Sequence, residues 1–364
     1  MTTRRAGPAR GPARGAAARR PRRRPRRPPK TKPAPAPKPA PKPKPAPKRH
    51  VAHIGHVGSG KYSDVFRVQT SKGGKIVMMK VSYYRDDTLC SIIKRAKKGD
   101  ASGARRAKSH DAVQVSTKFA KMTAGLLDTV SPHFVVVYCD LDCKSFAPRL
   151  GPLLKERIKN LTPLQKRFNH VCFMEAFHDN LTRYLASSQY PETTLRAIVF
   201  QVVYTLAALQ KRLPGFRHND LSTNNVLIKR LRSRPLLSYT FGGKTFYVAV
   251  PVLVALSDYD FTHVPGHPDL SNDRVMSGKY KVDGRRNDSY DTHFFLKSVG
   301  KCIQRRADRY PATSAFLARL RMKEEDRQNA TPIPRLAPAK LLQDPYFDEL
   351  TKKPGGAVGA AYAA

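Results

Sequence analysis

The sequence predicts an α+β fold in which a smaller, sheet-rich part precedes a larger helical part. Apolar stretches and turn signals alternate over residues 51–83, which is typical of an antiparallel meander. A long apolar helix follows Pro191 and stops at Pro214-Gly215, and the chain after residue 256 is mostly helical in pattern. Strands that come first and helices that come later are the order expected of this fold class.

The other predicted elements follow in chain order. Residues 111–128 have a helical pattern, whereas residues 134–139 and 171–174 have the composition of strands. Residues 237–256 predict a hairpin around Gly242-Gly243 and then a buried strand. The long helix is indicated by apolar side chains that recur at steps of three and four, namely Leu195, Ile198, Val199, Val202, Val203 and Leu206.

Residues 1–50 form a low-complexity arm that we expect to be disordered. Between Arg4 and Arg49 the arm carries eighteen Lys or Arg and no Asp or Glu, and its second half repeats Pro-Ala and Pro-Lys. Proline removes backbone donors and like charges repel, so this segment cannot build a core. The composition favours binding to nucleic acid or another polyanion, and a solvated, solubilising tail is the alternative.

The rest of the chain is basic too, because removing those eighteen charges from the formal net charge of +41 leaves +23. Five cysteines stand at scattered spacings, which predicts reduced thiols and suits a cytosolic or nuclear compartment. Uninterrupted apolar runs are shorter than a membrane span, and the N-terminus has no apolar signal core. We therefore expect an intracellular protein without a membrane segment.

A glycine-rich turn and a strand lysine form the first candidate site. The run from Gly58 to Val65 fits the spacing G-x-G-x-x-(G)-x-V, with Gly60 as the second glycine. Such glycines let backbone amides approach phosphates, and Val65, with Val57 before the turn, can pack on an adenine ring. Lys80 closes an apolar strand about twenty residues later, where a lysine can reach the α- and β-phosphates of ATP. A plain hairpin turn and a solvated lysine are the alternatives.

The run His218-Asn219-Asp220-Leu221-Ser222-Thr223-Asn224-Asn225 is the most specific pattern in the chain. It stands directly after the long helix and before the strand that starts at Val226. Asp220 would accept the proton of an attacking hydroxyl group, and Asn225 would hold Mg²⁺. The competing interpretation is a polar helix-to-strand turn. The position of the run between a long helix and an apolar strand disfavours that interpretation.

Asp258 follows the apolar strand that ends at Leu256 and is the second candidate Mg²⁺ ligand. The motif in this register is Asp258-Tyr259-Asp260, and a rival register takes Asp260-Phe261-Thr262; we prefer Asp258. Four features occur here in the chain order that the sequence pattern for phosphoryl transfer from ATP requires. They are a glycine-rich turn, a strand lysine, Asp-x4-Asn and an aspartate after a strand. This joint order outweighs the chance occurrence of each element.

These runs resemble serine/threonine protein kinases of nucleocytoplasmic large DNA viruses, such as the iridovirus-like ones, over about residues 51–350. The resemblance is carried by the catalytic run, by the helix before it, and by Asp258-Tyr259-Asp260-Phe261, which is similar to a D-F-D-F variant. It implies a bilobal protein-kinase-like fold with a small β-rich N-lobe, about 51–176, and a larger helical C-lobe, about 177–350. A flexible tail over 351–364 would follow.

The resemblance also assigns residues that spacing alone does not. Phe173-Met174-Glu175-Ala176 looks like the strand and hinge that hold adenine, with Met174 as gatekeeper. Asp291 would brace the catalytic run from the start of a central helix. The family's helix glutamate, which pairs with the strand lysine, has no counterpart, because no Glu precedes Glu156. Asp111 and Gln114 are the candidate replacements, and the choice between them stays open.

Two further departures lie inside the catalytic run. Asn219 replaces the arginine before the catalytic aspartate, so control by phosphorylation of the activation loop is disfavoured. Ser222 replaces a lysine that contacts the γ-phosphate in such kinases, so preference for Ser/Thr over Tyr is not secured by this position.

The resemblance implies ATP- and Mg²⁺-dependent phosphorylation of Ser/Thr hydroxyls in viral or host proteins, with Asp220 as the catalytic base. We expect a monomer with protein substrates, in the host cytoplasm or nucleus or packaged in the virion. Two alternatives stay open: a kinase-fold pseudokinase or scaffold, and a basic nucleic-acid-binding virion protein.

Overall fold

The structure is a computed structural model that describes residues 51–70, 74–187, 189–249, 251–278, 282–322 and 331–364. These residues belong to one unit of the chain, Arg49–Ala364. The predicted arm, residues 1–50, lies outside the described residues. Helices and sheets are both present, with all five strands of the first sheet ahead of the long helix, so the predicted α+β class is confirmed.

The predicted meander is the first half of a five-stranded antiparallel sheet whose strand order is β1-β2-β3-β5-β4. Alternate side chains of β2, including Phe66 and Val68, are buried on one face, as the period of two requires. That face packs on the segment between β4 and β5, which contributes Leu150, Leu154 and Leu161. The five strands are β1 (Val51–Ser59), β2 (Ser63–Thr70), β3 (Ile76–Tyr83), β4 (Val137–Lys144) and β5 (Phe168–Met174).

Helices connect the strands of this sheet. The predicted helix over 111–128 is α3, and Asp111 caps it by accepting a hydrogen bond from Val113 N at 3.0 Å. Between β4 and β5, a 3₁₀ helix at Ala147–Leu153 precedes two short helices. The helices of this part are α1 (Asp86–Lys97), α2 (Ala101–Ser109), α3 (Ala112–Ala124), α4 (Lys155–Asn160) and α5 (Pro163–Arg167).

The strand predicted at 134–139 begins later than expected. Phe134 forms only an isolated bridge to Leu256, and its side chain is buried in the main core with Val130. The regular strand therefore starts at Val137. Phe134 therefore fills the core instead of pairing along the sheet edge.

Two three-stranded sheets follow, in the orders β10-β7-β6 and β11-β8-β9. The predicted hairpin is confirmed as β8 and β9, which turn at Gly242 and Gly243, both with positive φ. The strands are β6 (Asp179–Asn180), β7 (Val226–Arg230), β8 (Leu236–Phe241), β9 (Lys244–Ala249), β10 (Val252–Leu256) and β11 (Ala360–Ala363).

The C-terminal segment differs from the predicted flexible tail. Ala360–Ala363 pair with β8 in parallel, and the ring of Tyr362 stacks on Tyr239 with 5.4 Å between centroids. The tail is rich in Gly and Ala and has no strand pattern. Ala360, Tyr362 and Ala364 pack against the main core and hold the strand in place.

The predicted long helix is α7 (Glu192–Arg212), and it forms the centre of the main core. Apart from Arg196, all but its ends are buried, and burying each Leu, Ile or Val stabilises the fold by about 1.5–3 kcal/mol. Within the described part of the chain, α7 is also the one helix long and apolar enough to cross a membrane. Because 83% of its most apolar stretch is buried inside the protein, α7 is a core helix.

Shorter helices surround α7. α9 begins at Tyr290, where the sequence placed the start of a central helix. The remaining helices are α6 (Leu181–Ser187), α7 (Glu192–Arg212), α8 (Asp273–Met276), α9 (Tyr290–Ile303), α10 (Pro311–Arg319) and α11 (Pro338–Leu341).

Candidate active site

A cleft of about 510 Å³ lies between the five-stranded sheet and the ends of β7 and β10. Nine of the residues predicted from the sequence line it: Val57, Gly58, Gly60, Val65, Lys80, Met174, Glu175, Asn225 and Asp258. Two predicted residues are not part of the lining. Ala176 follows the lining residue Glu175 on the chain, and Phe177 lines the cleft in its place. Asp220 lies beside Asn225, as described below.

The register of the first sheet explains why distant residues meet in the cleft. Gly58 on β1 lies opposite Val65 on β2, Val65 lies opposite Lys80 on β3, and Lys80 lies opposite Cys172 on β5. Directly opposed residues point to the same face of a sheet. The four residues therefore form one row across the sheet, and all four line the cleft.

Lys80 is held by two carboxylates. Its Nζ lies 2.7 Å from Asp258 Oδ1 and 3.6 Å from Asp260 Oδ1. Burial alone would lower the pKa of the Lys80 amine, but the two carboxylates raise it above its ordinary value, so the amine is charged. The pKa of Asp260 is raised to about 6, mainly by burial. The positive charge of Lys80 lowers this pKa, whereas the negative charge of Asp258 raises it further.

Neither candidate for the helix glutamate contacts Lys80. The carboxyl group of Asp111 is used in the cap of α3, and Gln114 Nε2 donates to Tyr84 Oη at 2.5 Å. The α3 residues that line the cleft are Val113, Ser116, Thr117 and Ala120. In the described part of the chain, the carboxylates that pair with Lys80 are those of Asp258 and Asp260, both in the segment after β10.

Asn225 is tied to Asp220 within the catalytic run. Asn225 Nδ2 donates to the Asp220 backbone oxygen at 2.7 Å and to Asp220 Oδ2 at 3.2 Å. The bond orients the Asp220 carboxylate and fixes the distance between the two residues. Because the amide nitrogen of Asn225 is committed to this bond, its carbonyl oxygen is the atom left for another partner.

Asp291 braces the same run, as the sequence predicted. Its two carboxylate oxygens accept hydrogen bonds from His218 N at 2.7 Å and Asn219 N at 2.9 Å. Asn219 has a φ of 65°, in the left-handed region that asparagine tolerates, and its Nδ2 donates to Phe261 O at 2.9 Å. The asparagine that replaces the family's arginine thus links the catalytic run to the segment after Asp258.

The ladder between β7 and β10 brings the two candidate metal ligands to one edge. Leu256, the last residue of β10, lies opposite Val226, the first residue of β7. Asn225, just before β7, and Asp258, just after β10, therefore lie at the same edge. Ser257 N donates to Asn225 O at 3.0 Å and extends the ladder by one step. Asp258 then turns the chain with a φ of 66°.

The donor atoms at this edge suit Mg²⁺. Divalent magnesium prefers oxygen ligands, in particular carboxylates. The Asp258 side chain is 42% exposed, whereas that of Lys80 is 17% exposed. Asn225 has its carbonyl oxygen to offer, and both residues line the cleft. A carboxylate and an amide carbonyl at the end of a strand are therefore a chemically consistent Mg²⁺ site.

The glycine-rich turn has a brace that the sequence did not predict. Arg157 on α4 donates through Nη2 to Gly60 O at 2.6 Å and to Lys61 O at 2.9 Å. Its Nε lies 3.3 Å from Oδ2 of the fully buried Asp64. Tyr83 Oη donates to the same carboxylate at 2.6 Å. Nearly one hundred residues separate Arg157 from the turn, so no local pattern could reveal this contact.

Comparisons with known proteins find similar sequences among viral protein kinases. Residues 176–323 match the family described as poxvirus serine/threonine protein kinase. Two proteins of Acanthamoeba polyphaga mimivirus, both named "putative serine/threonine-protein kinase", are also similar. One is 26% identical over 115 residues, which cover 29% of this chain and 24% of that protein. The other is 37% identical over 57 residues, which cover 15% of this chain and 14% of that protein.

The matched part of the chain spans a quarter or less of each of these relatives. The family match contains Asp220, Asn225 and Asp258, whereas Lys80 and the glycine-rich turn precede it. The comparisons confirm the predicted resemblance to viral serine/threonine protein kinases and support the prediction that this chain is a protein kinase.

Proposed function

We propose that the protein transfers the γ-phosphoryl group of Mg-ATP to Ser/Thr hydroxyls of viral or host proteins. One observation carries the proposal. Lys80 of the sheet and Asp258 after β10 are joined at 2.7 Å in the cleft that Asn225 also lines, and Asn225 is bonded to Asp220. These four residues are of the types that phosphoryl transfer from ATP requires.

Each residue has a distinct role in the proposal. Gly58 and Gly60 cover the phosphates, and Lys80 orients them through its charge. Asp220 accepts the proton of the attacking hydroxyl group and positions its oxygen. Asn225 and Asp258 would hold Mg²⁺, which supplies neutralisation of the charge on the β- and γ-phosphates when it is bound.

The adenine ring would occupy the apolar end of the cleft. Val57, Val65 and Met174 line that region, and Phe177 follows the predicted hinge at Glu175-Ala176. Glu175 N donates to Val136 O at 2.9 Å, and the Glu175 side chain pairs with Lys229. In the bilobal layout that we propose, the five-stranded sheet is the small lobe and this segment connects it to the larger one.

The test compares the wild type with Asp220→Asn, using ATP labelled at the γ-phosphate and a generic basic or acidic protein substrate. General-base catalysis contributes about 10²–10⁴-fold, so we expect incorporation to fall by at least about 100-fold. Asp348→Asn is the matched control, because Asp348 is exposed and pairs only with Lys244 among the ion pairs of the described residues. Equal incorporation of labelled phosphate by the wild type and Asp220→Asn would contradict the proposal.

A kinase-fold pseudokinase is the second candidate, since α3 offers no carboxylate to Lys80 in the described structure. Its signature would be ATP binding by the wild type without phosphate transfer in the same assay. The substrates, the monomeric state and the location in the host cytoplasm, nucleus or virion belong to the proposal too.

A further inference from the structure

Asp260 is a partly buried carboxylate to which the roles above assign no task. Its side chain is 16% exposed and its Oδ1 lies 3.6 Å from Lys80 Nζ. The short 3₁₀ helix Tyr259–Phe261, which contains Asp260, packs on α3, where the rings of Tyr259 and Phe119 lie 4.6 Å apart. The backbone is fixed as well, because Asn272 Nδ2 donates to Asp260 O at 2.6 Å. Asp260 is therefore held from two sides while it faces the lysine.

The two carboxylates around Lys80 differ in what else they can reach. Asp258 lines the cleft and is 42% exposed, whereas Asp260 is not part of the cleft lining. A carboxylate that binds a cation attracts a neighbouring ammonium group less strongly. A largely buried lysine needs a counter-charge at all times, because an uncompensated buried charge is costly.

We propose that Asp260 is the positioning residue of Lys80, which holds the ammonium group in place. Asp258 is thereby left free to bind Mg²⁺. This inference rests on the proposed function for its catalytic consequence. It accounts for the missing helix glutamate, because the counter-charge comes from the segment after β10, which packs on α3.

The contact itself is tested in the nucleotide-free protein. Limiting acetic anhydride acetylates lysines in proportion to their free amine, and peptide mass spectrometry measures the modified fraction of Lys80 against exposed Lys352. We expect Asp260→Asn to acetylate Lys80 at least threefold faster than wild type, since one counter-charge is lost. Asp348→Asn, the matched control, should leave Lys80 unchanged. An unchanged Lys80 rate in Asp260→Asn overturns the proposal.

The catalytic consequence is tested by steady-state kinetics. A misplaced Lys80 harms orientation of the phosphates more than their binding, so kcat should fall at least tenfold while KM for ATP changes less than threefold. A variant with wild-type kcat overturns the positioning role. If Asp260→Asn fails to fold, Asn272→Ala serves in its place. It keeps the Asp260 carboxylate but removes the hydrogen bond that holds the Asp260 backbone, and should raise the Lys80 acetylation rate and lower kcat.

The two measurements separate this inference from the proposed function. Suppose that Lys80 is acetylated faster in Asp260→Asn but that the wild type transfers no phosphate. This result would contradict the kinase proposal and would still support the Lys80–Asp260 contact. An active wild type with an equally active Asp260→Asn would contradict the inference and leave the kinase proposal standing.

Discussion

Asp258 and Asp260 stand two positions apart and contact the same lysine, yet their surroundings differ. The positive φ of Asp258 places the next residues in a short 3₁₀ helix at Tyr259–Phe261, which contains Asp260. Tyr259 is buried between them, and its hydroxyl group donates to Leu256 O at 2.9 Å. One aspartate thus borders the cleft and the other borders α3.

We predict that Asp258→Asn removes the effect of Mg²⁺ on ATP binding. The substitution keeps the shape but removes the charge that a hard cation seeks. Isothermal titration should give at least tenfold tighter ATP binding with Mg²⁺ than with EDTA in the wild type, and less than a threefold difference in the variant. A tenfold Mg²⁺ effect that persists in Asp258→Asn would rule out this residue as the ligand.

The sequence predicts Asp220, Asn225 and Asp258 as site residues because their proposed roles depend on short spacings and on the strands beside them. It does not predict that Asp258 and Asp260 pair with Lys80. That pairing is set by the backbone turn at Asp258 and by the packing of α3, and Lys80 precedes Asp258 by 178 residues. The search for a carboxylate on α3 also failed for a local reason, since the acidic residue nearest α3, Asp111, is used as its cap.

At the scale of elements, the segment between β4 and β5 does more than connect two strands. It covers the apolar face of the sheet and places Arg157 against the glycine-rich turn. The turn itself is closed by Gly60 N, which donates to Ser63 O at 2.7 Å. The carbonyl groups at its tip are therefore anchored from outside the sheet.

We predict that Arg157→Ala loosens the glycine-rich turn. Two hydrogen bonds to backbone carbonyls and the contact with buried Asp64 are lost together, and each hydrogen bond to a charged group is worth about 1.5–3 kcal/mol. KM for ATP should rise about three- to tenfold, and hydrogen exchange at residues 59–62 should quicken. Arg149→Ala is the control, because Arg149 is exposed on the same segment. Unchanged exchange in Arg157→Ala would contradict the brace.

Elements with a strong local pattern were predictable and those fixed by packing were not. The periodicity of α7 and the Gly-Gly turn of the β8–β9 hairpin are local signals, and both elements are confirmed. The start of β4 was misplaced because Phe134 is drawn into the core, which a run of apolar residues cannot reveal. The strand β11 is fixed by its ladder with β8 and by the packing of Tyr362 on the core.

At the scale of the whole molecule, the chain combines one candidate active site with a strongly basic composition. The arm over residues 1–50 contributes eighteen positive charges and lies outside the described residues. Its proposed task is to bind nucleic acid or another polyanion. Such binding releases counterions, so its affinity falls steeply with salt.

We predict that deleting residues 1–49 lowers the affinity for double-stranded DNA and flattens its salt dependence, because fewer phosphates are neutralised. Phosphorylation of a short uncharged peptide should stay within about twofold, since the residues assigned to the cleft are untouched. Fluorescence anisotropy at several salt concentrations measures the first effect. A deletion variant with the same slope as the full chain would assign DNA binding to the rest of the protein.

The central claim is that the sheet and the segments around β7 and β10 form one ATP site. Lys80 tests it most directly, because it lies outside the residues that match the kinase family. An ATP acyl-phosphate probe transfers its acyl group to a lysine next to the phosphates, and mass spectrometry identifies that lysine. We expect that the probe modifies Lys80 and that Mg-ATP reduces this labelling. The Asp348→Asn control should behave like the wild type. Labelling of other lysines only, or labelling of Lys80 that Mg-ATP does not reduce, would contradict it.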